Sequence, residues 1–84
     1  MAPNLINPKK SFYWMEKAAN KNNAQARYFL GTYYIKGYGV AESKTKGISS
    51  ILSSAERGNT DAINFCTNEL KMSAEQMREC GIPI

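Results

Sequence analysis

The sequence has no histidine and only two cysteines among its 84 residues. Histidine is the commonest general base and metal ligand, and two thiols alone cannot complete an ordinary zinc site. No apolar run approaches the roughly 20 residues that a membrane-spanning helix needs. The opening residues carry neither the basic stretch nor the apolar block of a signal peptide. We therefore expect no metal, no cofactor, no membrane span and no metal-dependent hydrolysis.

The charge that is present is unevenly distributed along the chain. Residues 1–46 carry eight Lys and Arg against two acids, a net charge of +6, whereas residues 47–84 carry three against five, a net charge of −2. A basic half favours a partner with an acidic surface, and it also allows weak attraction to nucleic acid or anionic lipid. A solvated, lysine-rich helical surface would have the same composition, so both interpretations stay open.

The sequence partly matches itself when it is shifted by 36 residues. The identical pairs that this shift aligns include Ala19 and Ala55, Asn23 and Asn59, Ala26 and Ala62, and Phe29 and Phe65. A period in the mid-thirties is the length of one helix–turn–helix unit. The match therefore predicts a helix pair that is repeated along the chain.

Helical spacing of apolar residues, together with capping signals, predicts an all-α fold with short turns. The predicted helices cover about residues 8–19, 24–36, 44–56 and 61–70, with a last short helix between Ser73 and Gly81. Ser43 is placed to cap the third helix, and Ser73 with Gln76 forms a capping box for the last. The apolar stripe of the third helix is predicted to be Ile48, Ile51, Leu52 and Ala55.

Two groups of residues carry a family resemblance. The first group is Ala24, Ala26, Leu30, Gly31, Tyr34, Gly37, Gly39 and Val40, and the second, one helix earlier, is Trp14, Lys17, Ala18, Ala19 and Asn23. Their identities and spacings resemble the Sel1-like repeat family, which is related to tetratricopeptide repeats. The resemblance implies antiparallel helix pairs in a short right-handed α-solenoid that binds other proteins. Ser50 and Gly47 stand where the family has Trp and Ala, so we expect looser packing of the second helix pair.

The resemblance treats residues 1–84 as one domain with three parts. Residues 7–23 supply the second helix of a partial repeat, residues 24–59 form a complete repeat, and residues 60–84 form a C-terminal capping pair. An array that begins inside a repeat exposes its first edge, which here carries Phe12, Tyr13 and Trp14. Edge aromatics of this kind are more often core than binding site. At an incomplete edge they favour contact with a partner or with a second copy of the chain.

In solenoids of this family the first helix of each pair lines the concave surface. With Leu30 at the centre of the buried face of residues 24–36, the opposite face and its counterpart 36 residues later form a candidate partner-binding stripe. The stripe consists of Gln25, Tyr28, Thr32, Ile35, Lys36, Asp61, Asn64, Asn68 and Lys71. Large side chains among amides and lysines suit an extended peptide or a partner helix. Tyr28 could instead pack against the neighbouring repeat.

The two cysteines, Cys66 and Cys80, lie on either side of the last predicted turn. In an antiparallel pair with that turn, positions summing to about 146 face each other, so a disulfide could clip the last helix to the array. Such a bond resembles the cysteine-rich secreted members of the family and would indicate a periplasmic or extracellular protein. Two buried, reduced thiols are the alternative and would fit the cytoplasm.

Three classes of function fit the sequence to different degrees. A non-catalytic adaptor, scaffold or small effector-binding protein of the immunity type is favoured, with a protein or peptide partner of acidic character. Nucleic-acid binding through the basic half is less favoured, because the lysines are dispersed over several helices without a recognised motif. An enzyme that binds or hydrolyses β-lactams, like some cysteine-rich relatives, is least favoured. Residues 44–47 resemble its Lys-Thr-Gly motif only superficially.

Overall fold

Capped helices account for most of the chain in a computed structural model, which describes residues 7–84. The helices are α1 (Pro8–Asn20), α2 (Ala24–Lys36), α3 (Lys44–Glu56), α4 (Thr60–Asn68) and α5 (Ala74–Glu79). No strand occurs within residues 7–84. The all-α prediction is therefore confirmed, while the domain boundary predicted at residue 1 lies outside the described residues.

A polar side chain caps the start of every one of these helices. The caps are Asn7, Asn23, Ser43, Asn59 and Ser73, each of which accepts a hydrogen bond from a backbone N–H of the first turn. The predicted capping box of α5 is complete: the Gln76 N–H donates to Ser73 Oγ at 3.1 Å, and the Ser73 N–H donates to Gln76 Oε1 at 2.8 Å. Each cap satisfies a donor that the helix itself leaves unpaired.

The first helix pair and the next are related by a shift of 36 residues. Helices α1 and α3 begin at residues 8 and 44, and helices α2 and α4 begin at residues 24 and 60. The turn inside each pair places a left-handed residue at the same position, Asn22 with φ 65° and Gly58 with φ 88°. Asn23 and Asn59 then accept from the N–H three residues later, at 3.0 and 2.9 Å. The sequence match therefore corresponds to a repeated local structure.

Helices α2 and α3 cross at two buried glycines, Gly31 and Gly47. A Cβ added to either glycine would lie 2.7 Å from the carbonyl oxygen of the other. It would also lie 2.5 Å from Cγ1 of an isoleucine, Ile51 in the first case and Ile35 in the second. The absence of a Cβ at both positions is what lets the two backbones approach, so Gly47 does not loosen the contact of α3 with α2. The looser packing expected for the second helix pair as a whole stays a prediction.

The core lies between α3, α4 and the C-terminal segment. Its buried residues are Ile51, Ala55, Ala62, Cys66, Met77 and Ile82. Two residues of the predicted α3 stripe, Ile48 and Leu52, are only half-buried. Ser54, which the apolar pattern passed over, is fully buried and donates its hydroxyl to the Ala24 carbonyl oxygen at 2.6 Å. Helix α3 therefore faces both of its neighbours, with Ser54 turned toward α2.

Candidate functional site

The residues of the predicted concave stripe do not all face solvent, because α2 is rotated about its axis relative to the prediction. Tyr28 and Ile35 are half-buried and pack against the core, so neither projects as a binding anchor. The most buried face of α2 is centred near Gly31, which is buried, and not on Leu30, which is half-buried. Helix α2 is covered by α1 on one side and α3 on the other, which leaves a narrow solvent face. Phe29, which the sequence reasoning did not select, is exposed on α2.

Other members of the stripe are engaged in contacts within the fold. Gln25 joins α2 to α4: its Nε2 donates to Asp61 Oδ2 at 3.2 Å, and its Oε1 accepts from Asn59 Nδ2 at 2.8 Å. The Thr32 hydroxyl donates to the Phe29 carbonyl oxygen of its own helix at 2.7 Å. The remaining predicted residues are exposed: Lys36, Asn64, Asn68 and Lys71. The stripe is therefore a polar surface without an exposed apolar anchor.

Of the four large exposed apolar side chains within residues 7–84, three lie on α1 and α2 instead. Trp14 is 63% exposed, Tyr13 49% and Phe29 40%. The rings of Tyr13 and Trp14 meet edge to face with centroids 5.4 Å apart, and the Lys17 ammonium lies 4.9 and 5.7 Å from the two centroids. Phe12, the third residue of the predicted edge, is half-buried and packs edge to face against Tyr34 at 5.3 Å. Tyr13 and Trp14 are thus the solvent-facing part of that edge.

Two surface clefts include residues of α1 in their walls. One has a volume of about 520 Å³ and is lined by Trp14, Lys17, Ala18, Asn20 and Lys21. The other has a volume of about 320 Å³ and is lined by Ser11, Thr32, Tyr33, Lys36 and Tyr38. Three lysines and no acidic residue belong to these linings, as far as the described chain extends. We call this surface, with the exposed ring of Phe29, the α1–α2 edge.

A third cleft, of about 300 Å³, opens between α2, α3 and α4. Its lining is Ile35, Lys44, Ile48, Phe65, Glu69 and Leu70. Four of these six side chains are apolar, and Lys44 and Glu69 supply opposite charges. Ile35 therefore forms part of a cleft wall, which differs from its predicted role on an outer binding stripe.

The predicted disulfide is absent from the structure. Cys66 and Cys80 are free thiols and do not lie at disulfide distance. The pairing rule assumed that the last helix runs back along α4, but α5 has only six residues and buries Met77. The Met77 sulfur lies 3.9 Å from Thr67 Oγ1. Cys66 instead points into the core, and Cys80 is exposed at the end of α5.

The two thiols are expected to react at very different rates. Burial, with a smaller contribution from the neighbouring Cys80, raises the pKa of the Cys66 thiol. Because the thiolate is the reactive form, a chromogenic disulfide reagent should titrate one thiol in the native protein and the second only after unfolding. Cys80→Ser should remove the fast reaction, and Cys66→Ser should leave it. Two fast thiols in the native wild type would contradict the burial of Cys66.

The same burial gives stability a pH dependence. The folded-state pKa of Cys66 lies above the ordinary value of 9.0, so the unfolded chain loses this proton first as the pH rises. Its contribution to stability is therefore complete below that value and declines above it. The decline should be smaller in Cys66→Ser than in the wild type, as urea denaturation at a series of alkaline pH values would measure.

One spacing associated with β-lactam chemistry escaped the sequence reasoning: Ser43 and Lys46 are placed as in a Ser-x-x-Lys motif. In the structure Ser43 caps α3, and its Oγ accepts from the Lys46 backbone N–H at 3.3 Å. The Lys46 ammonium lies over the Tyr34 ring, 5.8 Å from its centroid. Both side chains therefore have local structural partners.

Within residues 7–84 no group of three or more His, Cys, Asp or Glu side chains is arranged to hold a metal ion. None of helices α1–α5 combines the length and hydrophobicity that crossing a bilayer requires. No protein-family model, curated protein or solved structure matches the chain.

Proposed function

We propose that the protein is a non-catalytic protein-interaction module of the Sel1-like type, with its helix pairs arranged as a short right-handed α-solenoid. The recurrence of helix starts, caps and left-handed turns after 36 residues supports this arrangement. The dimensions of 43 × 23 × 21 Å also support it, because a row of stacked helices is longer than it is wide.

The exposed aromatic group on α1 and α2 is the observation that carries the proposal. Trp and Tyr supply a large share of the binding energy at protein interfaces, and contiguous exposed apolar patches mark interaction sites. Tyr13 and Trp14 are exposed on α1 beside Lys17, and Phe29 is exposed on α2. We therefore assign the main contacts to the α1–α2 edge. The concave stripe, with Asn64 and Asn68, is left as a polar rim.

The charge of this edge favours a partner with an acidic surface. The exposed lysines of α1 and its C-cap are Lys9, Lys10, Lys17 and Lys21, and Glu16 is the one acid of that helix. Complementary charge raises the association rate and discriminates against basic partners. Binding should therefore weaken as salt is added, over the range in which the Debye length falls from about 30 to 8 Å.

Nucleic acid is a second candidate ligand, and the same helix favours it. Tyr13 and Trp14 lie between lysines on the exposed part of α1, an arrangement that suits base stacking beside phosphate contacts. The protein hypothesis is preferred because the cleft at Ser11 has walls from both α1 and α2, although the cleft at Trp14 is lined by α1 and its C-cap alone. A nucleic-acid strand whose bases stack on α1 alone does not require a cleft with walls from two helices.

Photo-crosslinking tests the proposed function. With benzoylphenylalanine at position 14, we expect a defined protein to be captured from extract of the native host, in competition with excess wild type. The same group at Asn68, exposed on α4, should capture much less. Capture that nuclease treatment abolishes would assign the edge to nucleic acid, and capture only from position 68 would assign binding to the concave stripe.

Replacing Trp14 by serine, the residue at the equivalent position 50, should weaken binding of the captured protein at least tenfold, about 1.4 kcal/mol. The Tm should stay unchanged, because Trp14 is 63% exposed. Calorimetric titration of the purified pair measures the affinity, with Asn68→Ser as the matched control. If both variants bind as the wild type does, the α1–α2 edge is not the binding surface.

A further inference from the structure

Equivalent residues of α1 and α3 differ in burial, and wherever they differ along these two helices the α3 residue is the more buried one. Three residues of α1 are half-buried where their α3 counterparts are buried: Ser11 and Gly47, Met15 and Ile51, and Ala18 and Ser54. On the next helix Phe29 is exposed, whereas its counterpart Phe65 is half-buried. Something therefore covers a face of α3 whose counterpart on α1 is uncovered.

The cover over this face of α3 is helix α2 itself. Gly31 of α2 lies against Gly47 and Ile51, and the Ala24 carbonyl accepts the Ser54 hydroxyl. On the other side of the seam, α2 is joined to α4 through the Gln25–Asp61 hydrogen bond. Helices α3 and α4 thus form a slot that is filled by one helix.

The residues 36 positions earlier form an equivalent slot along the α1–α2 edge, and this slot is open. Its walls include the counterparts of the α3 residues that contact α2, namely Ser11, Met15, Lys17 and Ala18. Phe29 is the counterpart of Phe65, which lines a cleft together with Ile35 of α2. The two clefts lie along it, one with Lys17 and Ala18 in its lining and the other with Ser11. Because the equivalent slot of α3 and α4 is filled by a helix, we expect the open slot to accept a helix as well.

We propose that this slot binds an amphipathic helix of a second protein, and that this helix carries a carboxylate opposite Lys17. The inference rests on the proposed function and names the partner of its α1–α2 edge. In the filled slot, Arg27 Nη1 of α2 donates to Ser53 Oγ at 2.6 Å. The counterpart of Ser53 is Lys17, which has donors and no acceptor, so an arginine there would meet a like charge. A carboxylate at that position satisfies the Lys17 ammonium.

The walls of the open slot also set the shape of the docked helix. Ser11 replaces Gly47, and a Cβ at position 47 would lie 2.5 Å from Ile35 Cγ1 and 2.7 Å from the Gly31 carbonyl oxygen. A helix in the open slot must therefore stand farther out than α2 does, with a smaller residue in place of Ile35. Trp14 stands at the position equivalent to Ser50, so one side of the open slot carries a much larger side chain.

Among the described residues, the helices of a second copy match the slot poorly. Helix α1 exposes two aromatic side chains, but with its C-cap it carries four lysines against one acid, so it would bring like charges to Lys17. The outer face of α4 is polar, with Asn64 and Asn68 exposed. Helix α5 has six residues and already buries Met77 in the core of its own chain. The matching helix is therefore expected to come from another protein.

Helix α2 provides the probe for the test, because it fills the equivalent slot. The acidic peptide consists of residues 24–36 with Arg27→Glu and Ile35→Ala, held helical by a lactam between a glutamate at position 32 and Lys36. The control peptide is identical except that it keeps Arg27. Neither peptide contains tryptophan, and Trp14 is the single tryptophan of the protein, so its fluorescence reports binding. At low salt the wild type should bind the acidic peptide at least tenfold more tightly than the control peptide.

A charge reversal in the full-length protein completes the experiment. Lys17→Glu should invert the preference, so that the control peptide with Arg27 binds more tightly. The fold should be retained, because Lys17 is exposed. Equal affinities in the wild type, or the same preference in Lys17→Glu, would overturn the inference. A wild-type dimer that Lys17→Glu dissociates in sedimentation would also overturn it, by assigning the slot to a second copy.

The outcome separates this inference from the proposed function. A partner that crosslinks to position 14 and loses affinity with Trp14→Ser establishes a binding module, whatever the peptides do. If that partner binds while neither peptide does, the helix-in-slot inference fails and the module stands.

Discussion

Replacing Gly31 by leucine is expected to lower the free energy of unfolding by about 3 kcal/mol or more. A Cβ alone would lie 2.5 Å from Ile51 Cγ1 and 2.7 Å from the Gly47 carbonyl oxygen. The isoleucine can change rotamer, but a backbone carbonyl in a helix cannot move away unless α2 and α3 separate. Since a domain of this length has a total stability of roughly 4–13 kcal/mol, much of the population should unfold in moderate urea.

Urea denaturation followed by circular dichroism measures this effect. Thr32→Leu is the control, because it introduces the same side chain one residue later, at a half-buried cleft position that is away from the crossing with α3. We expect it to change the stability by less than about 0.5 kcal/mol. Gly31→Ala should fall between the two, because a gain of about 1 kcal/mol in helix propensity offsets part of the clash. Equal stability of the Gly31→Leu and Thr32→Leu proteins would exclude the close crossing.

Local signals were sufficient to predict the helices. Asn and Ser caps, the left-handed glycine at position 37 and the capping box at Ser73 act within a few residues of each other, so they can be read directly from the sequence. Only α4 differs noticeably, running over Thr60–Asn68 where the sequence predicted 61–70. The chain then turns through Lys71, which adopts a left-handed conformation with φ 55°.

The rotation of α2 could not be predicted from its own sequence. A helix with one buried face shows that face as an apolar stripe, but α2 is buried on two sides and is apolar around most of its circumference. The centre of its contact with α3 is Gly31, which has no side chain to contribute to the pattern. Placing Leu30 at the centre therefore turned Tyr28 and Ile35 outward by mistake. The packing partner at Gly47, rather than periodicity, fixes the rotation.

Phe29 was missed for a related reason. Its identical counterpart, Phe65, is half-buried against the neighbouring helices, and sequence identity suggests the same environment for both. Matching sequences give the two phenylalanines the same local structure but not the same neighbours, because Phe65 packs against the core between α3, α4 and the C-terminal segment. The candidate surface therefore lies where residues of matching sequence have different packing neighbours.

The second large effect concerns Ile51, which is completely buried. Ile51→Ala is expected to destabilise the protein by about 3–4 kcal/mol, because it removes buried methylenes and leaves a cavity between the α2 seam and the core. Its counterpart on α1, Met15, is half-buried. Met15→Ala should therefore cost only about 1 kcal/mol, although the two side chains are similar in size. Urea denaturation of both variants measures the difference.

The difference in stability between Met15→Ala and Ile51→Ala also tests whether the slot on α1 is open. Met15 lines the slot that Ile51 lines in the covered pair, so a helix bound there should bury Met15 as α2 buries Ile51. Met15→Ala should then weaken binding of the acidic peptide, whereas the same truncation at the exposed Ile84 should not. If Met15→Ala destabilises the free protein as much as Ile51→Ala does, the slot is already filled. In that case the docking proposal fails, even if α1 and α3 are otherwise equivalent.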